Sequence, residues 1–142
     1  MKTREGFSLV EVLVALVIIG IMGAVVAVNL AGTVDDAKVK STTAQIDNLA
    51  GQVNLYKIQQ GNFPSQQQGL EVLVREPSTA PLAKNYPKGG YIQSLEVPLD
   101  AWDRPYIYLI PGRQDQPFEI LSYGADGMEG GTGVDADISN LE

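Results

Sequence analysis

The sequence predicts an α+β chain in which one long N-terminal helix is followed by a small antiparallel β-sheet. Three patterns predict it. Residues 12–28 carry no charge and no polar side chain, and the uncharged run continues to Val34. Val39, Ile46, Leu49, Val53 and Tyr56 then recur at spacings near 3.5 residues, with Thr42 filling the gap; that is one apolar stripe on an amphipathic helix. Near the C-terminal third, RPYIYLI (residues 104–110) and FEILS (residues 118–122) are rich in aromatic and β-branched residues and are separated by Pro111-Gly112, which reads as two strands and a turn.

The first segment is close to the roughly 20 apolar residues that a spanning helix needs. Lys2 and Arg4 precede it, and positive charge before a span holds that end in the cytoplasm, so the downstream part is expected to be exported. Glu11 sits just inside the start of the run. A carboxylate there costs about 3 kcal/mol on insertion scales, and such a residue is read as functional with a partner to be named. The bland reading is a side chain snorkelling at headgroup level.

Three readings of the N-terminus stand side by side. A cleavable secretory signal is disfavoured, because the apolar run exceeds a 7–15-residue core and no clean small-x-small site follows it. A plain one-pass anchor is the second. The third comes from GFSLVEVLVALVIIGIMG: Gly6, Phe7 and Glu11 directly before the apolar run resemble the processing signal of type IV pilins and pseudopilins. The resemblance implies that a prepilin peptidase cuts between Gly6 and Phe7 and N-methylates Phe7, leaving a leader of residues 1–6. It further implies a membrane and polymerisation helix over residues 7–30. The new amine at Phe7 lies four residues from Glu11, and pairing the acid with the amine of a neighbouring copy relieves the cost of an unpaired buried charge.

Gly20 and Gly23 punctuate the apolar run, permitting close helix approach in lipid. Asp35, Asp36, Lys38 and Lys40 mark emergence into water. Only Gly32 interrupts residues 28–41, so one helix from about Phe7 to about Gln60 is expected, roughly 80 Å long. Gly61-Asn62, with Pro64 after it, ends the helix. The globular part is then residues 31–142: helix 31–60, a short helix and loops over 61–103, a β-hairpin over 104–122 and an acidic loop over 123–138. The short helix is expected from Gln66 to about Arg75, capped by Ser65, with Leu70, Leu73 and Val74 inward. Tyr91-Ile92 is expected to begin a short extended piece, and the hairpin leaves room for a third short strand.

Composition narrows the chemistry. The net charge of −7 argues against nucleic acid, and the chain has neither Cys nor His. Disulfides, thiolate nucleophiles and His-based acid–base chemistry are therefore excluded, and no enzyme site is expected. Acid is concentrated late: ten Asp and Glu from residue 95 onward face only Arg104 and Arg113. Within the glycine-rich tail, Asp126, Asp135 and Asp137 can converge as hard oxygen ligands of the kind calcium takes. The spacing is not an EF-hand, since Gly127 at the sixth loop position would put Gly133 where a Glu is needed. From composition alone the tail reads as a solvated loop.

YKIQQGNFPSQQQGLEVLV, GYI, PLDAWDRPYIY, SYGADG and DADI, in that order, deepen the resemblance across nearly the whole chain, to the major pseudopilin of type II secretion systems. It implies a type IV pilin-like fold and a structural Ca²⁺ in the C-terminal loop. Asp126 and Asp137 are then the side-chain ligands, the Tyr123 main-chain carbonyl joins them, and Asp135 and the Val134 carbonyl are further candidates. Glu129 is left exposed. It implies an inner-membrane, single-pass subunit with a periplasmic domain. Its partners would be copies of itself in a helical pseudopilus, minor pseudopilins, the prepilin peptidase and the inner-membrane assembly platform. The rivals are a type IV pilin of an adhesion or motility fibre, against which the absence of Cys argues, and a membrane-tethered calcium module that never polymerises.

Overall fold

A computed structural model describes residues 8–141. Helix α1 runs unbroken over Leu9–Gln60, 52 residues. Contacts divide the chain into two compact units, one ending at Asp36 and one beginning at Ala37. In the first unit, Leu9–Val26 is long and apolar enough to cross a membrane, with a mean hydropathy of 2.8 and none of its side chains buried. Helical hydrogen bonding satisfies the backbone without help from other segments, which is what lipid demands.

The second unit is built on the remainder of α1. Thr42, Ile46, Leu49, Val53 and Tyr56 are at most 1% exposed, and Gln60 extends the buried stripe by one more turn. Asp47, Asn48, Asn54 and Lys57 on the intervening positions face water. This is the 3.6-residue periodicity of an amphipathic helix that buries one face only. Gly61, at φ +86, takes the left-handed turn that ends the helix, and its amide donates to the Lys57 carbonyl at 2.8 Å.

The stripe is covered by three short strands in the order β1-β2-β3: β1 Ile107–Leu109, β2 Glu119–Ser122 and β3 Ile138–Ser139. All pairings are antiparallel, with Tyr108 opposite Ile120 and Ser122 opposite Ile138. The strands are shorter than the patterns predict. Of residues 104–110 only three are in the ladder, because Pro105 pairs instead with Leu99 in an isolated bridge. Tyr108, Ile120 and Ile138 from this sheet, with Tyr106 and Phe118 just before its first two strands, join Ile46, Leu49, Val53 and Tyr56 in one core.

The segment between helix and sheet differs from its expected form. The predicted helix from Gln66 is a 3₁₀ helix, η1, of Gly69–Leu73 only. Ser65 does start the turn: the Gln68 amide donates to Ser65 Oγ at 3.2 Å while the Ser65 amide donates to Gln68 Oε1 at 2.9 Å, a reciprocal capping box. Gln68 then spends its amide group on the carbonyls of Thr79 and Pro81. Gly69, at φ +58, breaks α geometry directly after the box, so the turn tightens. As a result Val72 is buried in place of Val74, which is half-buried. Tyr91 and Ile92 form no strand; both amides donate to the Leu73 carbonyl.

Two tyrosines test the core. The Tyr108 hydroxyl donates to the Pro64 carbonyl at 3.0 Å in a buried position, whereas the Tyr56 hydroxyl is buried with no hydrogen-bond partner among the described residues. Tyr108→Phe should therefore lower stability by about 1–3 kcal/mol, and Tyr56→Phe should leave the melting temperature unchanged or raise it. Thermal melts of the two variants in detergent check this contrast; a larger loss in Tyr56→Phe would refute it.

Candidate functional site

Two regions hold the residues singled out from the sequence, one in each unit. At the head of α1 the Ser8 amide donates to Glu11 Oε2 at 3.0 Å, and the Glu11 amide donates to Ser8 Oγ at 3.2 Å. The pair is a capping box: each side chain satisfies a backbone donor that the first helical turn leaves open. Ser8 was not among the expected site residues, yet S-x-x-E directly before an apolar run is a readable signal for it. Gly6 and Phe7 lie outside the described residues. Around Glu11 the surface is apolar, and Leu9, Val10, Val12 and Leu13 are all exposed.

The second region is the loop of residues 123–137. Its two arms are pressed together. The Ala125 amide donates to the Val134 carbonyl at 2.9 Å, and the Asp137 amide to the Gly130 carbonyl at 3.1 Å. Gly124, at φ +59, has the Ala136 and Val134 carbonyl oxygens 2.6 and 2.8 Å from where a Cβ would stand, so no other residue fits there without displacing an arm. Of the expected ligands, Tyr123, Val134, Asp126 and Asp137 are engaged within the loop. The Tyr123 carbonyl accepts from the Gly127 amide at 3.1 Å. Asp126 Oδ1 accepts from Met128 N at 2.9 Å, and Asp137 Oδ1 from Gly130 N at 2.9 Å. Asp135 lies in a second 3₁₀ helix, η2, of Gly133–Asp135. Among the described residues, no three acidic side chains gather into a metal-holding group.

Two arginines hold this loop; in the sequence they stand out only as the two cations opposing the late acids. Arg104 Nη1 donates to the Gly124 carbonyl at 2.7 Å and its Nη2 to the Ala125 carbonyl. Gly127 packs close against that guanidinium, with Nη1 2.6 Å from a would-be Cβ. The Arg104 amide is in turn held by buried Asp100, whose other oxygen accepts from Ser122 Oγ at 2.5 Å. Arg113 forks onto Glu119 with Nε at 2.9 and 3.0 Å and Nη2 at 2.6 Å. Its Nη1 reaches Asp137 at 3.8 Å and Glu129 at 4.0 Å. Glu119 is 1% exposed and also accepts from Ser139 Oγ of β3 at 2.8 Å. The Arg113 hydrogen bonds hold its carboxyl below the usual carboxylate range, against the opposing effect of burial. An acid placed on a strand between Phe118 and Ile120, across a turn from an arginine, was the available signal.

A helix apolar enough to cross a membrane, continuing into an amphipathic stripe under a small antiparallel sheet, defines a pilin-like subunit. Comparisons agree and are narrower. Residues 29–141 match the family described as type II secretion system (T2SS), protein G, and residues 1–27 match the prokaryotic N-terminal methylation motif. A type II secretion system core protein G of Pseudomonas aeruginosa is 43% identical over 141 residues, covering 99% of this chain and 97% of the relative. The protein of the same name in Vibrio cholerae is 41% identical, covering 99% and 93%. The crystal structure of the major pseudopilin from the type 2 secretion system of enterohaemorrhagic Escherichia coli superposes with a TM-score of 0.64 at 31% identity, covering 79% of this chain and 93% of that one. The chain belongs to the type II secretion system protein G family.

Two outcomes follow from the hydrogen bonding. Ser8→Ala should expose the Glu11 amide, with a loss of roughly 1 kcal/mol at the helix head; amide hydrogen exchange in micelles reads it, and unchanged protection would count against the box. Because Glu119 titrates below its ordinary value of 4.5, the stability it contributes is complete above about pH 4.5 and is lost as pH falls through the depressed value. Denaturant melts between pH 7 and pH 3 should show this acid limb. In Glu119→Gln the limb should flatten, from a lower starting stability at pH 7.

Proposed function

We propose that the chain is the major structural subunit of a type II secretion pseudopilus, non-catalytic, anchored in the inner membrane by its apolar helix with the globular unit in the periplasm. The observation that carries this reading is the methylation motif over residues 1–27, which takes in the membrane-length window Leu9–Val26, none of it buried in the chain itself. So much exposed apolar surface requires lipid or other helices to cover it. Processing between Gly6 and Phe7 would free an amine to which Glu11 of a neighbouring copy can turn, leaving its own Ser8. Such a trade exchanges a carboxylate–amide hydrogen bond for one between two opposite charges. Prepilin peptidase, minor pseudopilins and an inner-membrane assembly platform are the partners this reading calls for. A type IV pilin of an adhesion or motility fibre is not favoured, because the relatives are named for type II secretion.

The same reading calls for calcium in the acidic loop. The donors are right in kind: three aspartates and the crowded carbonyls that close over Gly124 are hard oxygens, and calcium accepts irregular sets of six to eight. Asp126, Asp135 and Asp137 would hold the ion with the carbonyls of Tyr123 and Val134. Asp126 and Asp137 would have to turn from the amides they now accept from. The ion would supply a structural cross-link between the arms and no chemistry.

Glu11→Ala should abolish or strongly reduce pseudopilus formation and secretion while leaving the subunit membrane-inserted and folded, as judged by electron microscopy and a secretion assay. Wild-type fibres from the variant would refute the assembly role, and mass spectrometry showing an intact leader would refute the processing route. At calcium near one hundred times its dissociation constant, EGTA should remove about 2.7 kcal/mol of stability; an unchanged melting temperature would count against the ion.

A further inference from the structure

We propose that Arg113 is a tethered cation for the acidic loop, which competes with a divalent ion for Asp137 and so sets how far the loop depends on that ion. This rests on the calcium reading of the loop. Three observations support it. First, Arg113 is fixed from behind: Nε and Nη2 are committed to Glu119, and Glu119 is buried and also tied to Ser139. The remaining nitrogen, Nη1, therefore points to the loop without further loss of side-chain freedom. Second, that nitrogen lies 3.8 Å from Asp137 and 4.0 Å from Glu129, so a fixed positive charge already stands beside one expected ligand. Third, the other arm is held independently, since Arg104 binds the Gly124 and Ala125 carbonyls. Among the described residues, Glu129 and Asp137 form ion pairs with Arg113.

The arm that carries Asp137 therefore has two ways to be held, one by the Arg113 guanidinium and one by an added ion. Both need Asp137, and two cations sharing one carboxylate repel each other. Arg113 lowers the affinity for the ion and raises the order of the loop when the ion is absent.

The test uses the full chain in detergent micelles. Calcium is titrated into wild type, Arg113→Lys and the neutral double variant Arg113→Gln with Glu119→Gln, and all three are melted in EGTA and in excess calcium. Lysine keeps a charge on Glu119 but cannot fork to the loop; the double variant leaves no unpaired buried charge if the lysine form fails to fold. Calcium affinity should rise by roughly threefold to tenfold in the variants. The melting temperature should fall in EGTA, and most of that fall should be recovered in excess calcium. Equal or weaker calcium binding in folded variants overturns this proposal alone. Absence of binding in all three removes the calcium reading, and this proposal with it.

Discussion

The globular unit depends on one requirement: the stripe from Thr42 to Gln60 must be covered. A helix with five side chains at most 1% exposed cannot exist in water by itself, since each large apolar side chain left bare forfeits about 1.5–3 kcal/mol. Three strands of two to four residues are too little sheet to be stable alone. They persist because Tyr106, Tyr108, Ile120 and Ile138 close over Ile46, Leu49, Val53 and Tyr56. Helix and sheet are thus each other's condition for folding. Side-chain bonds add register: Thr42 Oγ1 accepts from the Ala101 amide, and Tyr106 donates to Gln45.

Beyond that core, the chain has few apolar residues and no disulfide, and polar contacts do the ordering. Two buried acids carry most of it. Asp100 ties the corner at Trp102 to β2 through Ser122 and positions the Arg104 backbone. Glu119 ties the hairpin turn to β3 through Arg113 and Ser139. Each acid has an arginine close by in the chain, and each arginine then reaches the 123–137 loop. A segment with ten acids and two bases in its last 48 residues is held together by using both bases twice.

Much of this was legible from residue order. The α1 stripe could be read position by position, because 3.6-residue periodicity is a geometric property of the helix. The helix stop at Gly61 and the hairpin across Pro111 were also readable from turn chemistry. The short helix after Ser65 was read too long. Ser65 was correctly placed at its start, but the reciprocal bond from Gln68 was not foreseen, and a positive-φ Gly69 cannot be told in advance from one that is merely tolerated. Strand lengths were overestimated for a related reason: Pro105 forgoes a ladder bond, and where pairing moves to Leu99 depends on the fold. At the candidate sites, single residues were visible and partnerships were not. Glu11 stood out as a charge in an apolar run, while Ser8 beside it was passed over although its spacing was informative. Arg113 and Glu119 look like ordinary surface charges until the strand turns Glu119 inward.

The box at the head of α1 bears on where the rod begins. Both polar side chains of that first turn are used on its own backbone, so the helix starts at a fixed residue without borrowing from any other segment. A rod with a fixed first residue presents its apolar side chains in one fixed register.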